Sequence, residues 1–407
     1  MSEWKKVKLG EVTEYITDGD HQPAPKSEQG VYFIKIKDII NNRISFDNAL
    51  HVPSEYYAKL KNNRKAVKGD VLYTVVGSYG TATYVNTELP FCFERNIALL
   101  HANQEINSYF LYLLMSCESF YKKADALANG AAQKLISLKK LQTIEIEIPP
   151  LATQHRIATI LSRYDSLIEN YQKQIKLLEE AAQRLYKEWF IDLHFPGHEN
   201  TNIIDGVPEG WEKKTIDDVT CKITTGLNPR KNFVLGKGSN YYVTIKNMAD
   251  NTLFLDDRCD RVDNEALEKI NKRSDLKIGD ILFSGIGTIG RVALVYIPTN
   301  NWNVSESVFT LRANDIVTKE FLYLMLLSPD MQNYCQSNAH GAAQKGIRMA
   351  DLKAYSFNLP PFGVIQKFTN LVTPTIKKVS SIRNQIRLLT EARDRLLPKL
   401  MSGEIAV

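Results

Sequence analysis

The chain has 407 residues, with 51 Lys and Arg against 46 Asp and Glu, a formal charge of +5 and 44% hydrophobic residues. Such a chain is long enough for two or three cored domains and excludes neither enzyme nor binding protein, but its charge is too balanced to establish a nucleic-acid binder. The five cysteines (Cys92, Cys117, Cys221, Cys259 and Cys335) are odd in number and lack Cys-x-x-Cys spacing, so neither a disulfide framework nor a zinc site is expected. No apolar run is long enough to span a bilayer, and Met1–Lys6 leads into no signal-peptide core, so the expected location is the cytoplasm.

In chain order, residues 31–39 alternate as a strand, and residues 71–76 form a short apolar strand after Gly69-Asp70. Gly77-Ser78-Tyr79-Gly80 then turns the chain. Residues 107–128 read as a helix and 143–148 as a closing strand. Residues 153–191 carry the clearest periodicity: Ile157, Ile160, Tyr164, Ile168, Tyr171, Ile175, Leu178, Ala182, Leu185 and Trp189 follow one another at spacings of three and four. That is a coiled-coil seam, with Thr153 its expected N-cap and Phe195-Pro196-Gly197 its stop.

The same order then returns. Strands are expected at 241–248 and at Ile281-Leu282-Phe283, a turn at Gly287-Thr288-Ile289-Gly290, and a helix at 318–337. Gly130-Ala131-Ala132-Gln133-Lys134 recurs as Gly341-Ala342-Ala343-Gln344-Lys345, and Ile148-Pro149-Pro150-Leu151 as Leu359-Pro360-Pro361-Phe362, both 211 residues on. The chain is therefore read as a duplication. A second long helix follows the second diproline, with Phe368, Leu371, Thr375 or Ile376, Val379, Ile382, Ile386, Leu389 and Leu396 in its seam and Leu400 beyond. Pro374 is expected to kink or interrupt its first turns, and Arg393 to weaken its far end. The expected division is 1–150 and 196–361 as globular units, and 151–195 and 362–407 as helices packed antiparallel on each other. The plainer alternative is that each helix packs on its own domain.

The excess positive charge lies in residues 362–407, with eight basic and three acidic residues. Two basic runs stand out locally: Lys59, Lys61, Arg64, Lys65 and Lys68, and Lys269, Lys272, Arg273 and Lys277. Each precedes a Gly-Asp turn, where it either neutralises phosphates or forms a solvated face.

Two mixed α/β units, each followed by a long helix, with Gly-Asp, Gly-x-x-Gly and Pro-Pro at matching places, resemble the specificity subunit of type I restriction-modification enzymes. Gln154 and Ile157 after the first diproline are similar to that family's helix opening, although Thr153 replaces the usual acid and Gln366-Lys367-Phe368 diverges further. The resemblance implies an α+β fold of two target recognition domains, each reading half of a split double-stranded DNA site, with the helices setting the gap. It implies as partners two modification (methyltransferase) subunits and restriction (motor-nuclease) subunits. S-adenosylmethionine, ATP and magnesium belong on those partners; no cofactor, metal or membrane is expected for this chain, which is then not an enzyme.

Base edges are read best by Gln, Asn, Arg and Lys, while phosphate contacts position the protein. Residues that differ between copies are the candidates for reading: His21 and Gln22 opposite Asn228, Arg230 and Lys231, and Ser78 and Tyr79 opposite Thr288, with Arg291 just after. Gln133, Lys134, Gln344, Lys345 and Arg348 lie in or beside the shared loop, where backbone contact and a plain polar turn are equally good readings. Lys35, Lys37 and Lys246, placed on strands, reach phosphates or face solvent. His21 beside two aspartates is too few ligands for a metal. Two rival classes remain. An enzyme is poorly supported, since Asn358-Leu359-Pro360-Pro361 only superficially resembles a methyltransferase motif and no phosphate-binding loop is present. A duplicated protein–protein scaffold is compatible with the helices. A specificity subunit whose partner fuses modification and cleavage is indistinguishable from this side.

Overall fold

The computed structural model describes residues 4–77, 79–130, 134–249, 251–341 and 345–407. The chain forms two compact units, one from residues 1–169 with 387–407, the other from 170–386, so the division cuts through both long helices.

In the first unit a four-stranded antiparallel sheet orders Thr13–Asp18, Ile97–Ala102, Val71–Thr74 and Ala82–Tyr84. A second sheet places Val31–Ile34 between Leu50–Val52 and, in parallel, Phe91–Phe93. The closing strand Glu145–Ile148 pairs with Lys5–Lys8. The second unit repeats this with Thr220–Thr225, Val308–Ala313, Ile281–Ser284 and Val292–Leu294, then Asp260–Val262, Asn240–Val243 and Trp302–Val304, and the pair Glu212–Thr215 with Ser356–Leu359.

Several elements are shorter than their patterns predict. The strand expected over 31–39 ends at Ile34, because the Asp38 carboxylate accepts the Lys35 backbone N–H at 2.9 Å and bends the chain into a 3-10 turn, Ile36–Asp38. Asn247 does the same to Thr244 at 2.9 Å, making Ile245–Asn247 a 3-10 turn. Lys37 and Lys246 therefore lie in these turns and Lys35 at the entry to its own, none of them on a strand. The helix expected over 107–128 is two, Ser108–Ser116 and Glu118–Leu127, broken at an extended Cys117. Ser328 breaks the second copy between Lys319–Leu327 and Pro329–Ser337. Asn107 and Thr318 cap the first helix of each pair by accepting the N–H of Phe110 and Phe321.

The long helices are Leu151–Phe190 and Phe362–Met401, 40 residues each, or about 60 Å at ~1.5 Å per residue. The first begins at Leu151, so Thr153 is inside it and donates its N–H to the Pro150 carbonyl. The second runs unbroken through Pro374. Pro374 and Asn370 are both exposed, so water can satisfy the Asn370 carbonyl that the missing N–H frees. Leu371 is 56% exposed and leaves the seam to Val372, which is buried.

Within each unit the two helices pack antiparallel. In the first, Ile157, Ala158 and Leu161 share a core with Leu396 and Leu400, while Arg393 reaches Asp165. In the second, Phe368 sits between Tyr186, Trp189 and Phe190, with ring centroids 4.8–6.1 Å away, and Arg383 meets Glu179 at 2.6 Å. Ile160, Tyr164, Ile168, Tyr171, Ile175, Leu178 and Leu185 are all buried or half-buried, as are Ile382, Ile386 and Leu389. Ala158, Leu161, Tyr186 and Phe190 widen the stripe near the helix ends, where the helices also join the domain cores. The paired seam thus holds, whereas each helix packs on its own domain only at its start: Tyr186, Trp189 and Phe190 join the core of the second unit, and Leu396 and Leu400 join that of the first. No helix among the described residues is long and apolar enough to cross a membrane.

Candidate nucleic-acid interface

The first strand of each central sheet ends in a loop rooted on a glycine. A Cβ on Gly19 would lie 2.0 Å from the Phe93 carbonyl oxygen, and one on Gly226 would lie 1.6 Å from that of Val304, so neither loop root tolerates a side chain. In the first unit the basic run folds against this loop. Arg64 Nη1 is 3.3 Å from Asp20 Oδ1, and Nη2 is 3.6 Å from Asp18 Oδ1. The Tyr56 hydroxyl donates to Asp20 Oδ2 at 3.0 Å, and His21 Nε2 lies 2.9 Å from Asp18 Oδ2. Burial pushes the Asp20 carboxyl up. Hydrogen bonds from Tyr56 and from the backbone of Gln22 and His21, with the Arg64 charge, outweigh that and hold it below its ordinary value. Burial, then the bond to Asp20, pushes the Tyr56 hydroxyl up.

Arg64 is therefore engaged within the protein. Lys65 is also occupied, on the Ala58 carbonyl at 3.2 Å and over the Tyr57 ring, while Lys59 and Lys61 remain exposed. His21 and Gln22 project at the loop tip, both exposed.

In the second unit Arg273, on the helix Asn264–Ser274, donates to Thr225 Oγ1 at 3.2 Å, the counterpart of Arg64 on Asp18. Asn228 accepts the Arg230 N–H and gives its amide to Glu306 at 2.7 Å, so it shapes the loop. Arg230, Lys231, Lys246 and Lys272 are exposed.

The structure also joins two motifs that sequence keeps apart. The Gly287 N–H donates to the Lys345 carbonyl and the Ile347 N–H to the Gly285 carbonyl, both at 2.8 Å, so the Gly-x-x-Gly turn and the repeated loop are neighbours. In the first unit Val76 bridges Leu135 likewise. Ser78, Gln133 and Gln344 lie outside the described residues. Lys134 is exposed but holds Asp125 at 2.6 Å; Lys345 and Thr288 are exposed. Arg348 is exposed and holds Asp351 at 2.8 Å, which keeps that carboxyl below its ordinary value.

Two candidates prove internal. Tyr79 packs edge-on to Tyr73 and Tyr121, its hydroxyl buried without a partner among the described residues and pushed up to about 12 by burial. Arg291 spends its guanidinium on the Ile245 and Met248 carbonyls, at 3.0 and 2.5 Å. Each follows from position: a residue beside a turn glycine is carried back onto the core as readily as outward.

Sequence reasoning missed the partners of the Gly-Asp turns. Asp70 pairs with His101 at 2.6 Å, and Asp280 with Arg312 at 2.7 and 2.9 Å. Burial raises the Asp70 carboxyl despite its hydrogen bonds from Val67 and His101. Aligning the copies puts His101 opposite Arg312 at the same offset of 211, which is the signal that finds them. Among the described residues no group of three or more His, Cys, Asp or Glu is placed to hold a metal ion.

Comparison with known proteins matches this architecture. The chain is 26% identical, over 99% of its length and 93% of the relative's, to the type I restriction enzyme MjaIX specificity subunit of Methanocaldococcus jannaschii. It is 24% identical to the HindI specificity subunit of Haemophilus influenzae, with both chains covered fully. The crystal structure of a type I restriction-modification S subunit from M. genitalium shares the fold, with a TM-score of 0.61 at 18% identity, over 98% of this chain and 96% of that one. The family model for the type I restriction modification DNA specificity domain matches twice, over residues 1–180 and 208–386, and the chain belongs to that family.

Proposed function

We propose that this chain is the DNA-reading specificity subunit of a type I restriction-modification assembly. Each unit reads one half of a split double-stranded target in the cytoplasm. Partner modification subunits, two per chain, methylate adenine with S-adenosylmethionine, and restriction subunits use ATP and magnesium to cut. The chain itself supplies recognition without catalysis.

The observation that carries this reading is the pair of equivalent loops rooted on Gly19 and Gly226. Their frames are alike, yet their exposed tips differ: His21 and Gln22 in one, Arg230 and Lys231 in the other. A scaffold binding two copies of one partner needs like surfaces, whereas two different half-sites need unlike ones.

The test is to map methylated adenines in a genome carrying this chain with its modification partner. A split motif with a fixed gap is expected. Methylation without such a motif, or affinity for random duplexes that ignores salt, would sink the reading. S-adenosylmethionine binding or DNA cleavage by the purified chain alone would overturn its non-catalytic part.

A further inference from the structure

In both units most polar groups at the loop root are used internally. Asp18 and Asp20 hold Arg64, and Asp20 also holds Tyr56; Thr225 accepts Arg273, and Asn228 binds Glu306. Nearest each root, the polar side chains left facing solvent are His21 and Gln22 in one unit and Arg230 and Lys231 in the other. Phosphates are chemically the same at every half-site, so a shared phosphate contact predicts like residues in both copies. The tips instead carry a neutral amide with an imidazole in one unit and two permanent cations in the other. Gln22 is uncharged and releases no counterion, so hydrogen bonding is its means of recognition.

Resting on the DNA-reading function above, we propose that these tips are the specificity-determining elements, with Gln22 taking an adenine in the half-site of the first unit and Arg230 a guanine in that of the second. The Gln22 amide offers a donor and an acceptor to adenine N6 and N7, and the Arg230 fork offers two donors to guanine O6 and N7. His21 and Lys231 flank them and tune the approach. Since each root is pinned by its own glycine, the two choices are independent.

The test uses the complex of the full chain with its modification subunits. Wild-type methylation defines both half-sites, and duplexes substituted at each position then measure discrimination. Arg230→Gln is expected to relax one G·C position in one half-site, losing about 10- to 100-fold of discrimination there, and Gln22→Ala one A·T position in the other. Uniformly weaker binding with an unchanged motif, and for Arg230→Gln a salt slope smaller by about one, would make the residue a phosphate contact and overturn the proposal. Unchanged discrimination would overturn it too. If Arg230→Gln fails to assemble, Arg230→Met keeps the stem without the charge or the fork, and full retention of the guanine preference by that variant would overturn the proposal. A wild-type complex that methylates no split site would instead sink the function on which this rests.

Discussion

Asp165 and Arg393 meet at 2.7 Å, one on each long helix, and the Tyr109 hydroxyl closes the second Asp165 oxygen. Arg393 breaks the apolar repeat of its helix, and by pattern alone it weakens the seam. In the fold it is a partner. Arg393 is only 27% and Asp165 17% exposed, and Arg393 also holds the adjacent Asp394, so a register slip would leave chiefly the Asp165 charge without its cation in an apolar setting.

Arg393→Ala should therefore destabilise the first unit by about 1–3 kcal/mol, less than a fully buried pair because some water reaches it. Urea denaturation of Arg393→Ala, Asp165→Asn and the double variant gives the coupling. A coupling near zero would make the pair ornamental.

Arg312→Ala should cost the second unit about 3 kcal/mol, since Asp280 is 1% exposed and would lose its bidentate partner. Hydrogen exchange on peptides from residues 276–313 should speed up while those of the first unit stay as they were. Equal protection in both proteins would refute the role given to Arg312.

Asp20 links the first unit to pH. Its folded carboxyl lies below its ordinary value, so its contribution is present above the unfolded pKa of about 4 and is lost as pH falls through the lower folded value. The stability difference between wild type and Asp20→Asn should shrink on acidification through that window. The matching residue in the second unit is Leu227, which does not titrate. A difference that stays constant from neutral to acid pH would exclude the linkage.

How far the sequence reaches is plain from such residues. The seam from Ile157 to Trp189 is legible because apolar periodicity is local. Asp165 with Arg393 is not, because the partners are 228 positions apart. Arg64 reads as a free cation until Asp18 and Asp20 are folded against it. The helix break at Cys117 is hidden by continuous apolar periodicity, although Pro329 signals it in the other copy. Side-chain direction was not legible either: Tyr79 and Arg291, beside turn glycines, face inward onto rings and carbonyls.

Lys59 and Lys61, exposed beside the loop of the first unit, suit phosphates. Each Lys→Ala change should lower affinity for all duplexes alike and reduce the salt slope by about 0.9, leaving the methylated motif as it was. A changed motif would move these lysines from positioning to reading.

Each helical residue adds ~1.5 Å. Four residues inserted into both long helices add about 6 Å and nearly keep the three-and-four seam, so the half-site gap should lengthen by about one to two base pairs at ~3.4 Å each. Methylation mapping reads this directly, and an unchanged gap would end the ruler idea.

The make-up of the first unit also has a consequence for how the protein is born. Residues 170–386 form one contiguous stretch and can fold as they leave the ribosome, whereas the core around Ile157 and Leu161 waits for Leu396 and Leu400. A frameshift after residue 386 therefore takes Leu396 and Leu400 from the core of the unit encoded first and takes nothing from the unit formed by residues 170–386. The unit begun first is thus completed last, its final pieces arriving only after all of residues 170–386 have been made.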